Sequence, residues 1–154
     1  MSAFRSHMDV ALAEARAAAD RGEVPVGAVV TRGDRVIARA GNRMRELRDP
    51  TAHAEMLAIR AACAALGQER LTDCDLWVTL EPCPACAGAI AAARIGRLYY
   101  GAADPKSGGV AQGPRVFDHP QAHWKPEVYA GIAEDEAAHL LKAFFAARRD
   151  QDPR

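Results

Sequence analysis

At 154 residues, 49% apolar and 26% charged, the chain has the size and composition of one ordinary globular domain with a real hydrophobic core. Its 20 Lys plus Arg balance its 20 Asp plus Glu, so no global basic field marks it for nucleic acid, and only local patches are open to it. No apolar run approaches the ~18 residues of a membrane span, and none follows Met1-Ser2-Ala3-Phe4-Arg5, which excludes a membrane protein and a secretory signal.

The spacing of Met8, Leu12, Ala15 and Ala19 predicts a first helix over His7 to Arg21, closed by Gly22 in the C′ position. Val24 to Val30 is a continuous valine-rich run and predicts a buried strand. Arg32-Gly33-Asp34-Arg35 is a tight turn, and Val36 to Ala40 is the returning strand of a hairpin. Asp49-Pro50-Thr51 predicts a helix start with Thr51 as its cap, and the helix runs through Met56, Leu57, Ile59 and Cys63 to about Gly67. Leu76 to Leu80 reads as a third strand, Pro82 to Ala93 as a second core helix, and Leu98 to Tyr100 as a fourth strand. That strand–helix–strand rhythm argues for parallel pairing with helices on the sheet faces. From Ala103 to Pro126, prolines and glycines interrupt every pattern, giving a long loop of the kind that carries function or is disordered. Glu134 to Arg149 is the last helix, with Ala137, Leu140, Leu141, Phe144 and Phe145 as its apolar stripe. No repeat or second domain interrupts residues 1–154, which read as a single domain.

The chemistry lies in His53-Ala54-Glu55 and Pro82-Cys83-Pro84-Ala85-Cys86. One imidazole and two thiols are three ligands for a tetrahedral zinc ion. Three protein ligands leave a fourth position for water, the mark of a catalytic rather than a closed site. A closed structural site needs a fourth ligand, and neither Cys63 nor Cys74 has a partner at metal-ligand spacing. A redox Cys-x-x-Cys needs no His-x-Glu ahead of it. His53 and Glu55 are two apart, so they share no helical face, yet both border one cavity if the helix N-terminus points into it. His53, Cys83 and Cys86 therefore read as zinc ligands and Glu55 as the proton shuttle for a zinc-activated water. Cys83 and Cys86 open the second core helix, where the macrodipole favours thiolates. Four cysteines, two of them in a Cys-x-x-Cys, suit a reducing compartment, which points to the cytoplasm.

His-x-Glu followed by Pro-Cys-x-x-Cys is the known signature of zinc deaminases, in which the glutamate is not a ligand. The chain resembles the cytidine and deoxycytidylate deaminase superfamily, and within it the branch of bacterial tRNA-specific adenosine deaminases. The resemblance rests on Glu23-Val24-Pro25-Val26-Gly27-Ala28-Val29, Gly41-Asn42-Arg43, Asp49-Pro50-Thr51-Ala52-His53-Ala54-Glu55, Val78-Thr79-Leu80-Glu81-Pro82-Cys83 and Cys86-Ala87-Gly88-Ala89. It continues through Arg94-Ile95-Gly96-Arg97, Gly101-Ala102 and Phe144-Phe145, nearly the whole chain. It implies a three-layer α/β/α fold around a five-stranded mixed sheet, one Zn²⁺ per chain, and a homodimer whose partner helps build the substrate site. It implies that Asn42, Ala54, Asp104 and His123 contact substrate. The implied reaction converts adenosine to inosine at the wobble position of a tRNA anticodon loop, with release of ammonia. A single-stranded loop makes extrusion of the base inexpensive.

The chain departs from that branch after Asp104. Where the branch carries Asn-His followed by Arg, this chain has Ala122-His123-Trp124, and Gly109 to Arg115 lacks the usual Gly-Ser-Leu. The alternative is a deaminase of a free base or nucleoside such as guanine, cytosine or cytidine. A non-catalytic zinc-containing RNA-binding module is a third reading, against which Glu55 argues, since a structural zinc needs no proton shuttle.

Arg32, Arg35, Arg39, Arg43, Arg45 and Arg48 form a basic span that either grips phosphates or is a solvated hairpin. Arg148-Arg149 either does the same or simply answers the helix dipole. Trp77 reads as core, whereas Trp124 either stacks on a base or covers apolar surface. His7, His119, His123 and His139 have no ligand spacing and read as surface or hydrogen-bonded residues. Cys63 and Cys74 read as small buried thiols, and Glu81 as structural.

Overall fold

The computed structural model describes residues 5–151, with side chains for 5–149. Met1 to Phe4, on which the absence of a leader was read, lie outside the described residues. The elements are α1 (Met8–Asp20), β1 (Gly27–Arg32), β2 (Arg35–Gly41), α2 (Met44–Leu47), α3 (Ala54–Leu66), β3 (Asp75–Leu80), α4 (Pro84–Ala93), β4 (Arg97–Ala102), β5 (Glu127–Tyr129) and α5 (Glu134–Gln151), with a 3₁₀ turn at Val116–Asp118.

The five strands form one sheet in the order β2-β1-β3-β4-β5. β1 pairs antiparallel with both β2 and β3, while β3–β4 and β4–β5 are parallel, so the sheet is mixed. The strand–helix–strand rhythm holds for β3–α4–β4, where the crossover helix makes the parallel pairing possible.

Alternation along the central strands builds a core on each face. Ala28, Val30, Leu76, Val78, Leu98 and Tyr100 point toward α3 and α4. Val29, Trp77 and Tyr99 point the other way, toward α1 and α5. These strands are buried on both sides, which is why they read as unbroken apolar runs rather than alternating ones. On the second face Trp77 stacks on Tyr99 at 3.8 Å and Tyr99 on Tyr129 at 5.0 Å, one ring per strand in register. No described helix is long and apolar enough to cross a membrane.

Five sequence expectations change. Thr51 does not cap α3: its N–H and hydroxyl both bond Asp49 Oδ1, at 2.8 and 2.7 Å, and His53 occupies the N-cap. Residues 103–126 are not featureless, because Val110 and Phe117 are buried in the α3/α4-side core and the 3₁₀ turn lies within them. β5 has no sequence signal, being three residues long and directly after Pro126. On α5 only Ala137 of the apolar stripe is buried, and Phe145 is 42% exposed. His7 is buried rather than on the surface: its ring packs edge-on to Trp77 at 5.7 Å, and its Nε2 has no hydrogen-bond partner among the described residues.

Candidate active site

The site is built where the N-termini of α3 and α4 meet beyond the carboxyl end of β3. This is where an open α/β sheet offers a crevice for ligands. His53 leaves an extended segment (φ −74°, ψ 152°) as the N-cap of α3, so its imidazole stands off the helix end. Glu55 follows in the first turn and is buried, at 4% exposure. Cys83 is the N-cap of α4 with an extended backbone, and Pro84 takes the first helical position, where its fixed φ and missing N–H cost nothing. Cys86 is buried in the same first turn.

His53 Nδ1 lies 3.6 Å from Cys83 Sγ and 3.4 Å from Cys86 Sγ. The three ligand atoms fall within 4.8 Å of one another, the only such group of His, Cys, Asp and Glu found among the described residues. The donor set fits a borderline-soft divalent cation with tetrahedral preference. Charge points the same way. The Cys83 thiol, held by the Cys86 thiol and the His53 imidazole, is lowered to about 4 and is a thiolate at neutral pH. Cys86 is pushed up, first by its neighbour Cys83 and then by burial. Two sulfurs in contact do not both ionise unless a cation stands between them. His53 is raised, chiefly through its bond to Cys83.

Glu55 is raised above its ordinary value, with burial the largest cause. A buried carboxyl beside this His-Cys-Cys cluster is suited to exchanging protons near neutral pH.

Asn42 is 7% exposed and lies beside α3. Its Oδ1 accepts the Ala54 N–H at 2.8 Å, and its Nδ2 donates to Val24 O at 3.2 Å. The Ala54 amide expected to face substrate is thus taken by Asn42.

The structure does not join Asp104 or His123 to the metal cluster by any hydrogen bond among the described residues. Asp104 borders a groove of about 950 Å³ that also includes Val24, Arg45, Lys106, Phe145 and Arg149. Arg148 lies in the same groove. His123 borders a separate, mainly apolar cavity of about 360 Å³ on the outer side of α4, with Gly88, Ala91 and Ala92.

Of the arginine span, Arg32 pairs with Asp73, Arg39 with Glu14 and Arg43 with Glu46. Half of the span is therefore neutralised at the surface, and of its six arginines only Arg45 reaches the groove. Trp124 is tied back to the connection between α4 and β4, donating Nε1–H to Ile95 O at 2.7 Å, with Arg94 over its ring. Cys74 is buried, with its thiol pushed up to about 11 by desolvation, and Cys63 is half-buried. The residue that sequence reasoning undervalued is Glu81. A lone glutamate ahead of Pro-Cys has no periodic or spaced partner to betray its contacts.

A mixed five-stranded sheet between helix layers, with His, Cys, Cys and a buried Glu at the converging ends of α3 and α4, defines a hydrolytic deaminase. The MafB19-like deaminase family model matches residues 1–149, and the chain belongs to that family. It is 59% identical over 151 residues to a tRNA-specific adenosine deaminase of Agrobacterium fabrum, covering 97% of this chain and 99% of that one. A solved structure from work on A-to-I editing by tRNA:A34 deaminases at the wobble position of transfer RNA superimposes with a TM-score of 0.87. It is 61% identical and covers 89% of this chain and 100% of its own. A guanine deaminase from Nitrosomonas europaea has the same fold, with a TM-score of 0.81, 26% identity and coverage of 95% and 86%.

Proposed function

We propose that the chain is a zinc-dependent deaminase that converts adenosine to inosine at the wobble position of a tRNA anticodon. The observation that carries the chemistry is the cluster itself: His53 Nδ1 within 3.6 Å of both sulfurs, with Glu55 buried next to it. His53, Cys83 and Cys86 would hold one Zn²⁺, which would supply Lewis-acid activation of a water molecule. Glu55 would take one proton of the water and deliver it to N1 of the purine, then take the second from the oxygen now bonded to C6 and deliver it to the departing amine. Atoms balance as adenosine plus water giving inosine plus ammonia.

Asn42 fixes the α3 N-terminus, and so the aim of His53 and Glu55. It keeps one amide hydrogen and a lone pair beyond its bonds to Val24 and Ala54, enough to read a base edge. The groove bordered by Asp104, Arg45, Lys106, Arg148 and Arg149 supports an RNA rather than a free base, since its cations suit phosphates on either side of an extruded nucleotide. The 59% identity to the Agrobacterium fabrum deaminase, over 97% of this chain, supports the same choice over the more distant guanine deaminase at 26%.

The whole chain, residues 1–154, works as one deaminase domain in the cytoplasm. It forms a homodimer, for which the apolar cavity on the outer side of α4 offers a surface and which brings His123 within reach of substrate. The test is ammonia release from an anticodon stem-loop RNA set against a panel of free bases and nucleosides. Release from the RNA is expected; release from the free compounds alone removes the tRNA reading.

A further inference from the structure

Glu81 stands between the end of β3 and the Pro82-Cys83 segment, and it is 2% exposed. Its backbone N–H donates to Ala102 O at 2.8 Å, fastening the end of β3 to the end of β4. Its side chain reaches into the loop that follows β4. Oε1 accepts the Asp104 N–H at 3.1 Å. Oε2 accepts three successive N–H groups, those of Val110, Ala111 and Gln112, at 3.2, 2.9 and 3.0 Å. Successive amides converging on one oxygen form a backbone nest for an anion. Here the anion is the chain's own carboxylate, and no salt bridge to it is seen among the described residues.

The loop lies hard against this carboxylate and against the segment that carries Cys83. A Cβ on Gly108 would sit 2.6 Å from the Glu81 carboxylate, and one on Gly109 would sit 2.6 Å from Pro84 N and 2.9 Å from the Cys83 carbonyl carbon. Gly109 N–H donates to Pro82 O at 2.8 Å. Asp104, held through its N–H by Glu81, in turn accepts the Lys106 and Ser107 N–H groups on Oδ1 at 3.2 and 3.0 Å. One buried side chain therefore organises a loop that touches the metal-ligand segment on one side and the basic groove on the other.

We propose that Glu81 is a positioning residue. Its carboxylate sets the register of loop 104–112 against the Cys83-Pro84 peptide and thereby fixes Asp104 and Lys106 in the substrate groove. It acts through the loop, not on the reacting atoms, where Glu55 already carries the protons. The inference rests on the reading of that groove as the substrate groove.

Glu81→Gln keeps the volume but turns an amide NH₂ toward backbone donors, leaving N–H groups of the nest without an acceptor. Gly108→Ala leaves Glu81 intact and pushes the loop off it, and it decides the matter alone if Glu81→Gln does not fold. KM and kcat on the stem-loop RNA, zinc content, and amide hydrogen exchange at residues 104 and 110–112 are measured for both variants. Zinc stays near one per chain, exchange protection at those amides is lost, and KM rises by roughly ten-fold or more with a smaller change in kcat. An unchanged KM overturns the proposal, whether or not kcat or zinc content falls. If wild-type enzyme turns over only a free base or nucleoside, the RNA reading fails by itself. Glu81 is then judged by KM for that compound and by the exchange, and unchanged values overturn its role.

Discussion

Asn42 Oδ1 takes the backbone N–H of Ala54 at 2.8 Å, bridging the segment after β2 to the first residue of α3. His53 immediately precedes that residue and Glu55 immediately follows it. The amide of Asn42 therefore governs where the His53 imidazole and the Glu55 carboxyl point, in addition to anything it does for substrate.

Asn42→Ala leaves the buried Ala54 N–H without its acceptor and removes one of the two donors to Val24 O, which keeps the Val26 N–H. An orphaned buried amide costs about 1–3 kcal/mol. Urea unfolding should show a lower midpoint with an unchanged m-value. Turnover falls with it, because the α3 N-terminus loosens.

Glu55→Gln preserves shape and removes the base. Turnover should fall by roughly 10²- to 10⁴-fold, the usual worth of general acid–base catalysis, with zinc still near one per chain by atomic absorption. Glu55 must be ionised to accept the water proton, and burial raises its pKa above the ordinary 4.5. The wild-type rate therefore declines as pH falls through that raised value, so the acid limb of kcat lies above pH 4.5. Retained activity in Glu55→Gln would refute the assigned role.

His53→Ala should lose metal rather than merely slow catalysis. In the wild-type protein, zinc affinity weakens as pH falls, because protons compete for the ligands. Cys83, lowered to about 4, is already ionised between pH 5 and 8 and adds no slope there. Cys86 is pushed up and must give up its proton throughout that range. His53 is raised above 6.5 and adds its own proton below that point. A plot of log Kd against pH should thus steepen from about one to about two proton equivalents on the acid side. A slope that stays constant across the range contradicts this ligand set.

Arg148→Ala with Arg149→Ala removes two exposed cations from the groove beside Asp104. Stem-loop RNA binding should weaken, and the slope of log K against log salt should fall by about one for each phosphate no longer neutralised. Zinc content and folding midpoint should not move. An unchanged salt slope means the groove does not hold phosphates.

Much of this molecule was legible in its sequence where local pattern decides structure. Val24 to Val30 and Leu76 to Leu80 announced the central strands, because double-sided burial leaves mostly apolar residues there. The grouping of His53, Cys83 and Cys86 was legible because residue type and spacing are written in the chain itself. What stayed hidden depends on partners distant in sequence. β5 exists because Glu127, Val128 and Tyr129 find the register of β4, and three residues are too few for the strand preference of Val128 and Tyr129 to announce it. His7 is buried because Trp77, 70 residues on, points to the face of the sheet on which α1 packs. Thr51 looked like a cap until Asp49 claimed it. Glu81 gathers amides 23 to 31 residues away, and no local rule signals such an arrangement.

The most direct test of wobble-adenosine deamination is the nucleoside composition of an anticodon stem-loop RNA before and after incubation with zinc-loaded protein, wild type and Glu55→Gln in parallel. Wild type should convert the wobble adenosine to inosine mole for mole with ammonia released, and Glu55→Gln should leave the RNA unchanged. Intact adenosine in the RNA after exposure to wild type, alongside ammonia from guanine or a free nucleoside, would contradict the assignment.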